Sequence, residues 1–168
     1  VSNQLGQSES NIFRDLVAKE SQLDANQLDH DWEQTWELSL ASDPISGVKF
    51  VRNVVQYLES MPWPENDVFG IHMAVEEAIM NAIKHGNRQE ADKVVHIVCR
   101  VSKSRFYLLV KDEGEGFDPD DLPDPTLEEN LTKPSGRGVL LMRAYMDHVE
   151  FNAAGNQVEL LKHASHGS

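Results

Sequence analysis

Between Val68 and Ala82 six apolar side chains, Val68, Ile71, Val75, Ala78, Ile79 and Ala82, recur at about 100° per residue, which places them on one side of an α-helix. A helix predicted from about Glu65 to Lys84 must therefore bury one face against another layer of the protein. His85-Gly86-Asn87 supplies its stop, because glycine and asparagine accept left-handed geometry. The same helix is not apolar all round. Glu77, Asn81 and His85 follow at i, i+4 and i+8 and share a polar side, while Glu76 points away from Asn81.

The flanking sequence shows what that helix packs on. Trp36, Leu38 and Leu40 alternate with polar residues, the period of a half-buried strand. Ser42-Asp43-Pro44 is a helix start, with Ile45, Val48, Val51, Val55 and Leu58 at helical spacing behind it. Met61-Pro62-Trp63-Pro64 ends that helix. Two strands, Val94–Val101 and Phe106–Val110, are joined by Ser102-Lys103-Ser104. From Asp112 to Gly138 the chain is rich in Gly, Pro and Asp, and a loop that long inside a domain is usually functional. A third helix is predicted over Val139–Tyr145, then a hairpin of Val149–Ala153 and Val158–Leu161 around Gly155-Asn156. This order predicts an α+β, two-layer sandwich: three helices on one mixed, mainly antiparallel sheet. Residues 1–31 are expected to be an arm, in which Ile12, Phe13, Leu16 and Val17 suit a short amphipathic helix. The domain is expected over 32–163, with a tail at 164–168.

Composition removes several classes of function. The 168 residues carry a formal net charge of −13, which argues against broad nucleic-acid binding and against an anionic membrane surface. A lone cysteine, Cys99, sits in an apolar run and is read as a core residue. Seven histidines show no HExxH spacing, so a zinc site is not expected. No apolar stretch is long enough to span a bilayer and the N-terminus lacks a signal-peptide pattern, so the cytoplasm is the expected location.

Three clusters carry potential chemistry. The first is the polar stripe of the second helix, where Glu77 could accept a proton and the Asn81 amide oxygen could ligate Mg²⁺. The second is Asp112-Glu113-Gly114-Glu115-Gly116, directly after a strand, where glycines let the backbone come close to a ligand beside a carboxylate. The third is Ser135-Gly136-Arg137-Gly138 at the start of a helix, a place where exposed amides attract phosphate. Taken singly, each also fits a plainer reading: a solvated face, an acidic turn, a flexible entry loop. The phosphate-loop and Rossmann fingerprints are both absent.

Taken together and in this order, the clusters resemble the N, G1 and G2 boxes of the GHKL (histidine-kinase-like) ATPases, over roughly Trp32 to Lys162. Within that superfamily, Phe117-Asp118-Pro119, Pro123-Asp124-Pro125-Thr126, Glu129-Asn130-Leu131, Met142-Arg143, Met146-Asp147 and His85-Gly86 are similar to the RsbW-like branch of switch serine kinases and anti-sigma factors. The resemblance implies a Bergerat-type sandwich that binds ATP and Mg²⁺. It implies Glu77 as general base, Asn81 as the Mg²⁺ ligand and Asp112 as acceptor of the adenine amino group. Gly114 and Gly116 would let the lid approach the nucleotide, Gly136, Arg137 and Gly138 would wrap the phosphates, and Lys84 would be a further phosphate contact. His85 is expected to be structural or lid-contacting, and Trp32, Trp36 and Trp63 to be core or edge residues. The implied activity is phosphorylation of a Ser or Thr on a STAS-type anti-sigma-factor antagonist, by a protein that otherwise holds a sigma factor and forms a homodimer. The alternatives are a nucleotide-dependent binding module without catalysis and, ranked lower for want of a preceding phosphoacceptor helix, the ATPase part of a histidine kinase. The acids of the lid, among them Asp118, Asp120, Asp121 and Asp124, are read as a solvated loop.

Overall fold

The computed structural model describes residues 32–116 and 134–165. The expectations for the arm at 1–31, for most of the lid and for the last three residues lie outside the described residues. The chain begins with strand β1 (Gln34–Ala41) and helices α1 (Pro44–Glu59) and α2 (Glu65–Asn81). A π-helical turn (Ala82–Gly86) extends α2. Strands β2 (Val94–Val101) and β3 (Arg105–Lys111), helix α3 (Pro134–Tyr145) and strands β4 (His148–Phe151) and β5 (Gln157–His163) follow.

The strands form one five-stranded sheet in the order β1-β2-β3-β5-β4, and the three helices form the second layer. Every pairing is antiparallel. The sheet is thus not mixed. β3 and β4 do run parallel to one another, as a helical crossover requires, but β5 lies between them and pairs antiparallel with both. The core sits between the layers. One face of the central strands supplies Val95, Ile97, Cys99, Phe106, Leu108 and Leu160, all fully buried, against Leu58, Ile71, Val75 and Ile79 of the helices. Burial pushes the Cys99 thiol pKa far up, as befits a core thiol. Trp63 is buried too, and its indole N–H donates to the Ser102 carbonyl at 2.9 Å.

Local chemistry explains the helix ends. Asp43 caps α1: its carboxylate accepts the Ser46 amide at 2.9 Å and the Ser46 hydroxyl at 2.6 Å, with Pro44 in the first turn. The Ser46 hydroxyl bond is the main reason the Asp43 carboxyl lies below its ordinary range. α2 has no side-chain cap, but Glu65 and Asp67 in its first turn complement the helix dipole. All six residues of the predicted α2 stripe are buried. The α1 stripe is rotated from the expected one. Gly47, Phe50, Val51, Val54 and Leu58 face inward, whereas Ile45 and Val48 are 69% and 44% exposed. Gly47 explains the rotation. A methyl group there would stand 2.8 Å from Ile83 Cδ1 and 2.9 Å from Met80 Cε, so its absence lets α1 press against α2 and the turn that follows.

Two boundaries differ from the periodicity reading. Regular α-helix ends at Asn81, not Lys84, and widens into a π turn in which the Asn87 amide reaches back five residues to the Ala82 carbonyl at 2.8 Å. His85 therefore leaves the stripe of Glu77 and Asn81. α3 begins at Pro134, not Val139, so Gly136, Arg137 and Gly138 belong to the helix itself.

Candidate nucleotide site

α2 carries the site along its length. One turn before its end, Glu77 is half-buried and lies against Gly138 of α3, where an added methyl carbon would collide with the Glu77 carboxylate and come within 2.8 Å of its Cγ. Any larger residue there would have to displace the Glu77 carboxylate from this place. One turn on, Asn81 is half-buried. Among the described residues the structure gives its amide no hydrogen-bond partner, which leaves the oxygen available to a ligand.

At the far end of α2 the π turn brings Gly86 against Asp112. A methyl carbon on Gly86 would strike the Asp112 carboxyl group, at 2.6 Å from Oδ1 and closer still to its other atoms. Gly114 abuts the Gly86 carbonyl in the same way, and its amide donates to Asp112 Oδ1 at 2.8 Å. Asp112 is only 8% exposed, and its own amide donates to the Asn156 carbonyl at 3.0 Å. Burial raises the Asp112 carboxyl pKa above its ordinary range, opposed by the Gly114 amide and by the charge of Lys93. Gly116 has φ 78° and packs on the turn between β4 and β5, where an added methyl would meet the Ala154 carbonyl. That φ is in the left-handed region, which glycine adopts without the steric penalty of a side chain.

The predicted residues thus fall into two groups. Asp112 and Gly114 lie against the end of the π turn, with Gly116 on the neighbouring β4–β5 turn, and Glu77 meets Gly138 further back on α2. Gly86 stands nine positions after Glu77, roughly 13 Å of helical rise, so α2 and its π turn hold the two groups apart. Gly136 lies in the first turn of α3, where amides lack acceptors within their own helix. Gly138, the fifth helical residue, falls inside the ladder and contributes closeness instead. Lys84, His85 and Arg137 are exposed. Sequence reasoning missed Gly86 and Asn87 as site residues. Both were legible as helix-stop residues, and nothing local shows that the stop also roofs a carboxylate.

Among the described residues no group of three His, Cys, Asp or Glu side chains could hold a metal ion, and no helix is long and apolar enough to cross a membrane.

A buried carboxylate after a strand, glycines packed against it, and a helical Glu set against a glycine of the next helix accord with a histidine kinase-like ATPase domain. The family model of that description, Histidine kinase-like ATPase domain, matches residues 40–162, and the chain belongs to this family. Within it the chain belongs to the RsbW-like branch. It is 30% identical over 119 residues to the anti-sigma F factor of Bacillus velezensis, covering 67% of this chain and 80% of that protein. It is 34% identical over 106 residues to the anti-sigma F factor of Bacillus cereus, covering 58% of this chain and 70% of that protein. Among solved structures, the crystal structure of the RsbU and RsbW domains of Rv1364c from Mycobacterium tuberculosis superposes with a TM-score of 0.54 at 12% identity. That match covers 78% of this chain and 32% of the longer protein, and it supports the fold alone.

Proposed function

We propose that this domain binds ATP with Mg²⁺ and transfers the γ-phosphoryl group to a Ser or Thr of a partner protein, acting as an anti-sigma factor whose acceptor is a STAS-type antagonist. The observation that carries this reading is the packing of Glu77 on Gly138 at one end of the site, with the buried Asp112 under Gly86 at the other. The first end suits phosphates and a reacting hydroxyl, and the second suits a base. The names of the Bacillus relatives support the sigma-factor half of the proposal.

In the transfer the bond between the γ-phosphorus and the bridging oxygen breaks and ADP leaves. A new bond forms to the partner's hydroxyl oxygen, whose proton goes to Glu77. Asp112 accepts the adenine amino group and holds the base. Gly114 and Gly116 allow the strand-end loop to lie close to the nucleotide. The Gly136 amide faces the phosphates, with Arg137 and Lys84 as exposed cations at the rim. Such chemistry is mostly positioning and charge neutralisation. A nucleotide-bound Mg²⁺ usually takes one or two protein oxygens and completes its shell with phosphates and water. The unengaged amide of Asn81 fits that need, and the ion would neutralise phosphate charge.

The test is single-turnover transfer from labelled Mg-ATP to candidate STAS-domain proteins, with label sought on Ser or Thr. Glu77→Gln should bind Mg-ATP nearly as wild type and transfer on the order of 10²–10⁴-fold more slowly. Asn81→Ala should weaken both magnesium-dependent binding and transfer. Full transfer by Glu77→Gln removes Glu77 from the mechanism. Partner capture that depends on nucleotide, without any transfer by the wild type, establishes the non-catalytic binding module instead.

A further inference from the structure

Asn87 is fully buried, and both ends of its side chain are engaged. Its Nδ2 donates to the Val94 carbonyl at 2.8 Å, and its Oδ1 accepts the Glu113 amide at 2.8 Å. The triangle is closed by Glu113 itself, whose Oε2 accepts the Val94 amide at 2.8 Å. Three residues from three segments, the end of the π turn, the start of β2 and the strand-end loop, are thus tied by three hydrogen bonds. The Glu113 carboxylate also reaches His96 Nε2 at 3.4 Å, and His96 Nδ1 lies 3.1 Å from the Ser39 hydroxyl on β1.

The triangle stands directly beside the base-reading carboxylate. On one side of Asp112 its own amide is fixed to the Asn156 carbonyl at 3.0 Å. On the other side the Asp112–Glu113 peptide is fixed through the Glu113 amide to Asn87. With both neighbouring amides held, the peptide planes that aim the Asp112 side chain have little freedom. Asn87 is also bonded in chain to Gly86, the residue that roofs the carboxylate. Immediately after it Arg88 and Gln89 adopt φ of 54° and 57°, unfavourable for side-chain-bearing residues. Backbone in that region persists where surrounding contacts over-determine it, and Asn87 supplies two such contacts.

We infer that Asn87 is a positioning residue for base recognition: it fixes the turn that carries Asp112 and so sets how strictly the site requires a donor amino group on the base. The inference rests on the reading of Asp112 as the adenine carboxylate. A carboxylate aimed at the six-position amino group rejects a base with an oxygen there only while it is held on target. Once free to swing away, it binds both bases about equally.

ATP and ITP separate these effects, since inosine replaces the six-amino group by an oxygen. Calorimetric titrations of both nucleotides against the full chain give the ratio of their affinities. The wild type should prefer ATP by about 10-fold or more, the size of one hydrogen bond to a charged group. Asn87→Ala should bring the ratio to within about threefold of unity. A merely structural Asn87 predicts a lower melting temperature and equal losses for both nucleotides, and an unchanged ratio overturns the inference while leaving Asp112 in its role. If Asn87→Ala does not fold, the ratio is read from Glu113→Ala, which opens the Val94 side of the triangle. A fall of at least about twofold supports the inference, and no change overturns it. A wild type that binds ATP and ITP equally overturns the base reading of Asp112 and the inference together.

Discussion

Gly138→Ala separates the stability of the fold from the geometry of the site. In a helix interior, glycine is about 0.5–1 kcal/mol less favourable than alanine, so the substitution gains that much from the backbone. Against it stands a collision between the new methyl group and the Glu77 carboxylate, with Glu77 Cγ at 2.8 Å. The struck atoms are the end of a flexible side chain that makes no hydrogen bond among the described residues. Glu77 can turn aside for roughly 0.5–1.5 kcal/mol of rotamer strain. The two effects nearly cancel. Gly138→Ala should therefore melt within a few degrees of wild type, since about 1 kcal/mol moves a chain of this size by roughly 2–4 °C. The displaced carboxylate, however, leaves the reacting hydroxyl, and a shift of about 1 Å in a catalytic group can cost on the order of 10²-fold in rate. Gly116→Ala is the counter-case. There the new methyl meets the Ala154 carbonyl, with its carbon at 2.9 Å, and alanine must also hold φ 78°. The left-handed conformation alone costs about 1–2 kcal/mol, so this variant should lose melting temperature first. The assays are thermal melts and single-turnover transfer on the same preparations. A loss above about 2 kcal/mol for Gly138→Ala would show that Glu77 cannot move, and undiminished transfer would show that its place against Gly138 is unimportant; either result refutes the argument.

The Asp112 carboxyl is raised by burial, so ionisation of this group opposes folding: the stability it contributes is present below the ordinary carboxylate range and is lost as pH rises through the raised value. Asp112→Asn should thus melt higher than wild type at pH 7, with the gap closing on acidification, while ATP affinity falls about 10-fold or more; a lower melting temperature at pH 7 contradicts the assignment. Asp147 is the opposite case. Burial alone would raise its carboxyl, but the His163 amide at 2.6 Å and Lys162 at 3.3 Å outweigh burial and hold it below the ordinary range. Its stabilisation is present above the ordinary carboxylate range and lost as pH falls through the lowered value, so Asp147→Asn should be less stable than wild type at pH 7 and match it in strong acid. Urea melts at several pH values check both signs.

How much of this was legible in the chain depends on whether a local rule had one solution or two. The stripe of α2 had one: six apolar residues at helical spacing all proved buried, because a helix covered by a sheet has no second way to hide them. α1 had two. Ile45-Val48-Val51-Val55-Leu58 and Phe50-Val51-Val54-Leu58 both satisfy helical spacing, and the choice was made by Gly47, whose missing side chain admits Ile83 and Met80. The start of α3 was misplaced for a related reason. Two glycines near a helix start argue against helix by propensity, whereas the packing of Gly138 on Glu77 is a tertiary contact that no local window contains. The site divides in the same way. Asp112, Gly114 and Gly116 stood out only through their order with the other two clusters, since a carboxylate and two glycines after a strand also suit an acidic turn. Gly86 and Asn87 were hidden behind a sufficient local explanation, since any helix may end in Gly-Asn. Their second use becomes visible only when the sheet brings Asp112 under Gly86 and the Glu113 amide to Asn87. A stop signal is thus least informative at the place where it abuts a second segment. Asn87→Ala should therefore change the specificity of the neighbouring segment more than the stability of the helix it ends.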